Sequence, residues 1–114
     1  MTARAKPRLL NEGELRLVRA LLERAGAQYR ALAQDLERAQ VVTLPDGGMG
    51  SLEFVYEAGK APAGEYGIAT LTFEDGRGMG VSAALHTNVR GELFELDMFT
   101  GDSLPLAGIP LTFQ

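Results

Sequence analysis

Apolar residues in this chain recur every three or four positions as far as residue 39, and every second position from residue 41 onward. The first spacing belongs to one face of an α-helix and the second to one face of a β-strand. A chain whose period switches once in this way is restricted to an α+β arrangement, with helices covering one face of an antiparallel sheet. Charge switches at the same place. Residues 1–40 carry eight Arg or Lys against five Asp or Glu, a net of +3, whereas residues 41–114 carry three against ten, a net of −7; together they give the chain its −4. Such a fold is expected to be electrically two-faced, basic on its helical side and acidic on its sheet.

The helical part is expected over residues 10–39 as a hairpin, preceded by a basic arm at residues 1–9. Asn11 can cap the first helix, Glu14 stands three residues on to complete a capping box, and Leu10 and Leu15 hold the two hydrophobic-staple positions. Leu15, Val18, Leu22 and Ala25 form one stripe, and Gly26 suits a left-handed stop. Tyr29, Leu32, Ala33, Leu36 and Ala39 form the stripe of a second helix. Arg16, Arg19, Arg24, Arg30 and Arg38 lie off these stripes and are expected on the solvated side.

The sheet is expected over residues 41–99 with about five strands, at 41–44, 52–56, 66–73, 79–89 and 93–99, followed by an irregular apolar wrap over 102–114. Met79, Val81, Ala83 and Leu85 share one face, opposite Gly80, Ser82, Ala84 and His86. A turn around 88–91 would pair Leu85 with Phe94, Ala83 with Leu96 and Val81 with Met98, all inward. Ala69, Leu71 and Phe73 join that inner face only if the preceding hairpin has a three-residue loop, read as Glu74-Asp75-Gly76 with a left-handed Gly76. The outer face then shows Glu53, Glu57, Glu95 and Asp97, with Val55, Tyr66 or Ile68 and the small residues Gly80, Ser82 and Ala84.

Chemistry finds little support in the pattern. There is no cysteine, so disulfides and thiolate metal sites are excluded, and a reducing, cytoplasmic setting is expected. The basic N-terminus lacks the apolar stretch of a secretion signal, and no run approaches the ~20 apolar residues of a bilayer span. A net charge of −4 argues against nucleic acid as a ligand. His86 is the single histidine; Ser82 shares its strand face but stands about 13 Å away along the strand, too far for proton transfer. His86 is therefore expected to be an exposed or edge residue. Glu95 and Asp97 project together at ~7 Å, compatible with an inverting glycosidase pair but also with a solvated strand, and there is no Trp for a sugar platform. Asp97, Asp102 and Glu92 could hold calcium only adventitiously. The glycines at 47, 48 and 50 open a strand, without the lysine and helix of a phosphate loop. No cofactor, resident metal or catalytic group is expected.

Three stretches carry a resemblance: Arg8-Leu9-Leu10-Asn11-Glu12-Gly13-Glu14-Leu15, Asp46-Gly47-Gly48-Met49-Gly50-Ser51-Leu52 and Gly91-Glu92-Leu93-Phe94-Glu95-Leu96-Asp97-Met98-Phe99. They resemble a family of small uncharacterised bacterial domains, a helical hairpin plus a sheet, over nearly the whole chain. Asp102-Ser103-Leu104-Pro105-Leu106 fits that family's ending, while Thr100 and Gly101 stand where bulkier residues are usual. The resemblance implies no catalytic residues. In size and acidity the chain is also similar to immunity proteins that neutralise bacterial toxins.

These observations lead to one α+β domain, an N-terminal helical hairpin on an antiparallel sheet of about five strands. The expected role is a non-enzymatic acidic protein-binding module, immunity-like, that meets a basic protein partner through Glu53, Glu57, Glu95 and Asp97. The alternatives are a structural homodimer and, more weakly, a hydrolase using His86.

Overall fold

The computed structural model describes residues 6–56 and 65–113. Its elements are β1 (Arg8–Leu9), α1 (Glu12–Ala25), β2 (Gln40–Thr43), β3 (Leu52–Val55), β4 (Tyr66–Glu74), β5 (Gly80–Thr87) and β6 (Leu93–Thr100). The architecture is α+β, and the sheet has six strands rather than five, in the order β1-β2-β3-β6-β5-β4 with every neighbouring pair antiparallel. The additional strand is β1. Only two residues long, it falls within what the charge pattern marks as a basic arm and pairs with Gln40 and Val41 of β2.

α1 starts where the local chemistry dictates. Asn11 Oδ1 accepts a hydrogen bond from the Glu14 backbone N–H at 2.8 Å, and Glu14 Oε1 accepts one from the Asn11 N–H at 2.9 Å. Glu14 also receives both terminal nitrogens of Arg8, at 2.8 and 2.9 Å. One buried carboxylate thus caps the helix and ties it to the edge strand. The buried stripe is Leu17, Val18, Leu21 and Leu22, rotated from the expected one, with Leu15 half-buried.

The second helix of the expected hairpin does not form. Gly26, at φ 114°, ends α1, and the chain continues as two 3-10 segments, Ala27–Ala33 and Leu36–Arg38. Neither has a side-chain cap, and only Leu36 is buried. Tyr29, Leu32 and Ala33 pack half-buried against the core. The segment lacks the continuous buried stripe that normally sustains an amphipathic α-helix.

The sheet's inner face holds Leu52, Phe54, Leu71, Val81, Ala83, Leu85, Leu96 and Met98 in one core with α1. Ala69, Leu71 and Phe73 pair with Leu85, Ala83 and Val81, so the expected inner set of that strand is observed. The three-residue hairpin loop is also present but lies two residues later, at 76–78. Gly78 donates to the Asp75 carbonyl and takes φ 77°, while the Asp75 N–H bonds Met79 O at 2.9 Å. The β5–β6 hairpin repeats this geometry: Gly91 donates to Asn88 O with φ 78°, and the Asn88 N–H bonds Glu92 O at 2.9 Å. Each loop is a type I turn followed by a glycine bulge. Asp75 and Asn88 both turn their side-chain oxygens onto the loop N–H groups.

The three-residue loop at 89–91, in place of the even-length turn that the expected pairing needs, moves the β5–β6 register by one residue, and a bulge between His86 and Thr87 moves it by one more, so that Leu85 meets Leu96, Ala83 meets Met98 and Val81 meets Thr100. An even shift preserves faces. Leu96 and Met98 accordingly remain inward, and Glu95 and Asp97 outward.

Residues beyond β6 run irregularly over the helix side. Leu106 N–H bonds Gly48 O, Gly76 N–H bonds Ala107 O, and Arg16 donates to the carbonyls of Ile109 and Pro110. Phe113 meets Phe73 edge to face, with ring centroids 5.7 Å apart. Arg16, expected on the solvated side, thus anchors the tail. On the opposite face of the sheet Asp97, Phe99, Ser82, Thr70 and Thr72 remain exposed.

Candidate functional site

The outer face gathers acidic groups from three strands. Glu53 of β3 stands directly opposite Glu95 of β6. In the same ladder Ser51 donates to Asp97 Oδ1 at 3.4 Å, while its hydroxyl oxygen accepts the Met98 N–H at 2.8 Å. The strand pairing therefore aligns Glu53, Glu95 and Asp97 in adjacent positions on one surface. Glu57, expected to belong with them, lies outside the described residues.

On its other side Glu95 faces His86 of β5 across the ladder, and Glu65, immediately before β4, completes the group. Among the described residues Glu65, His86 and Glu95 each bring one ligand-type atom within 4.8 Å of the others. His86 is neither an edge nor an exposed residue, since β5 runs between β4 and β6 and the side chain is only 19% exposed. Its Nδ1 lies 3.6 Å from Glu65 Oε1, and no hydrogen bond reaches that buried nitrogen.

These neighbours push the Glu95 carboxyl up to about 7 from an ordinary 4.5. Loss of water around the group is the leading cause. A hydrogen bond with Glu65 follows, and then the charges of Glu65, Asp97 and Glu53. A hydrogen bond between two carboxyl groups requires one proton between them, so Glu65 and Glu95 share an excess of negative charge that a proton or another cation relieves.

Sequence periodicity places Glu95 and His86 on the outer face but does not bring them together. In the expected register His86 falls opposite Leu93, and the combined shift of the three-residue hairpin loop and the bulge replaces Leu93 with Glu95. Glu65 precedes its strand and belongs to no alternating pattern. Its signal is indirect, a carboxylate two residues before a glycine, Gly67, that pairs with His86. Ser82 keeps its place on the same strand face, paired with Phe99 rather than Asp97. The Glu92, Asp97 and Asp102 set is not assembled, because Glu92 and Asp102 flank opposite ends of β6, and Asp102 is engaged by Arg77 at 2.8 Å.

A separate groove of about 400 Å³ opens between the 3-10 segments and the end of the sheet, lined by Leu32, Leu36, Phe54, Tyr56 and Leu93 among others. Tyr56 donates to the Leu93 carbonyl there, and its hydroxyl is pushed up to about 12 by burial and then by the charge of Glu92.

A family model described as a domain of unknown function, DUF6984, matches residues 7–110. The chain belongs to this family. No curated protein and no solved structure matches it. Among the described residues, no helix of this family member is long and apolar enough to cross a membrane.

Proposed function

We propose that this DUF6984 protein is a non-enzymatic binding module that docks a basic protein through the outer face of its sheet. The observation that carries the reading is the direct cross-strand pairing of Glu53 with Glu95, with Asp97 beside them. Like charges directly opposite each other in an antiparallel pair destabilise it, by up to about 1 kcal/mol. A cationic surface seated on them converts that cost into attraction and speeds encounter. Phe99, 55% exposed on the same face, supplies an aromatic anchor of the kind that concentrates binding energy. Asp97 and Phe99 are two residues apart on one strand, about 7 Å, so a single partner side-chain pair can meet both. An immunity-like role, neutralising a basic toxin, is the finer form of this proposal.

The test is capture from lysate by the tagged chain and by a variant with Glu53→Lys, Glu95→Lys and Asp97→Lys, its fold verified by circular dichroism. The expected result is a basic protein retained at low salt by the natural chain and lost from the variant. Identical capture by both removes the proposal. A second reading, a homodimer, rests on β4, the longest strand, standing last in the sheet order. A sedimentation mass that stays monomeric as concentration rises eliminates it.

A further inference from the structure

We propose that Glu65, His86 and Glu95 form a binding site for a divalent transition-metal ion, with zinc as the ion to test. The proposal goes beyond the docking reading: the ion would occupy Glu65, His86 and Glu95 and leave Glu53 and Asp97 to a partner. Its basis is geometric. The His86 Nδ1 to Glu65 Oε1 separation of 3.6 Å exceeds hydrogen-bond range for this pair. It is close to the spacing of two ligand atoms on one tetrahedral ion. With metal–nitrogen and metal–oxygen bonds of roughly 2.0–2.2 Å, ligand atoms stand about 3.4 Å apart. All three ligand atoms already lie within 4.8 Å, so closure onto an ion requires side-chain movements of about 1 Å, which the largely exposed Glu65 can make.

An independent observation singles out the same place. Buried side-chain nitrogens normally have a partner, yet among the described residues His86 Nδ1 is the one buried side-chain polar atom without a hydrogen bond. It faces carboxylate oxygens, where an ion would satisfy it. Imidazole with two carboxylates is a donor set suited to zinc and its neighbours in the first transition row. The set is also fixed by the scaffold. His86 and Glu95 stand on adjacent central strands directly across the ladder, and Gly67 lies opposite His86, where even a β-carbon would make only ordinary contact, at 3.6 Å, with its Cε1 and Nδ1. Three protein ligands leave a fourth position for water or another donor.

The experiment uses the purified full chain after chelator treatment. Zinc binding is measured by calorimetry, cobalt binding by its visible absorption, and the single histidine is followed by ¹⁵N NMR. One ion per chain is expected, with the Nδ1 resonance moving on binding. His86→Gln and Glu65→Gln should each weaken zinc by at least about tenfold, while Glu74→Gln, exposed on β4, leaves it unchanged. Should His86→Gln fail to fold, Glu65→Gln decides alone. Absence of binding at millimolar zinc, equal affinity in Glu65→Gln, or ligation through Nε2 overturns the proposal. Because no partner is present in these measurements, failure here leaves the docking test untouched, and failure of capture leaves this one untouched.

Discussion

At the scale of single residues, Glu95 and Asp75 are carboxylates shifted in opposite directions, and their pH responses should differ in sign. Glu95 holds its proton more tightly in the folded chain than the ordinary 4.5 of the free group, at about 7. The folded state therefore binds more protons across that interval, and the stabilisation present below pH 4.5 is lost as pH rises toward 7. Solvent screening of this half-exposed group limits the loss to about 1 kcal/mol. Glu95→Gln should remove that slope, so in chelator-treated protein the stability difference between variant and natural chain should grow with pH in urea titrations at pH 4.5 and 7.5. A constant difference would contradict the assignment. Asp75 behaves oppositely. Burial alone would raise its carboxyl, but N–H donors from Arg77, Ala107 and Met79, with the Arg77 charge, outweigh it and hold the group below 3.8. Its contribution is present above that value and fades as pH falls through the lower folded one. Asp75→Asn, which replaces an acceptor oxygen with a donor against those N–H groups, is expected to lower Tm at pH 7 by several degrees, with much less difference from the natural chain near pH 2.

At the scale of elements, what was legible in the chain was local and what was not depended on pairing. The capping box of α1 involves residues three apart, and Asn11 and Glu14 announce it directly. The two hairpins are legible as turns near Asp75 and Asn88, but the left-handed glycine stands three positions after each, at Gly78 rather than the expected Gly76 and at Gly91. Both loops place that glycine at positive φ with open space around its absent side chain. The cost of adding a methyl group is therefore conformational rather than steric, about 1 kcal/mol in each loop. Gly78→Ala and Gly91→Ala should give nearly equal losses by denaturant titration. The loops lie at opposite ends of β5, so the double variant should lose the sum. A markedly smaller effect at either position would mean that the loop relaxes to another turn. The candidate site was half legible. A period of two assigns His86 and Glu95 to a face, but the bulge that makes them neighbours leaves no trace in alternation. β1 is too short to show a period at all, and residues 27–33 carry good helix formers yet adopt 3-10 turns because no buried stripe rewards the α-helical spacing.

At the scale of the whole molecule, the two sides of the sheet are closed by different means. The inner side depends on α1 together with the last residues of the chain, which touch four separate elements. Leu106 bonds the β2–β3 turn at Gly48, Ala107 bonds the β4–β5 hairpin, Ile109 packs on Gly13 of α1, and Phe113 meets Phe73 of β4. Gly76 is required where the tail crosses, since a β-carbon there would stand 2.4 Å from the Ala107 carbonyl oxygen. Deleting residues 105–114 would remove the half-buried packing of Leu106, Ile109 and Phe113 against the core, at roughly 1 kcal/mol each. It would also strip partners from the buried Asp75 and from Arg16. A loss of at least about 3 kcal/mol is expected, together with binding of a hydrophobic dye to the uncovered core. The outer face should respond differently. Glu65, His86 and Glu95 sit toward the β5–β6 hairpin, at the opposite end of β5 from the tail's contacts at Asp75 and Gly76. In truncated protein that remains folded by circular dichroism, zinc affinity should match that of the full chain within about threefold, because distant sites without shared partners behave independently. A large fall in affinity would show that the tail positions the outer face through the sheet, and the two sides would then have to be treated as one coupled unit.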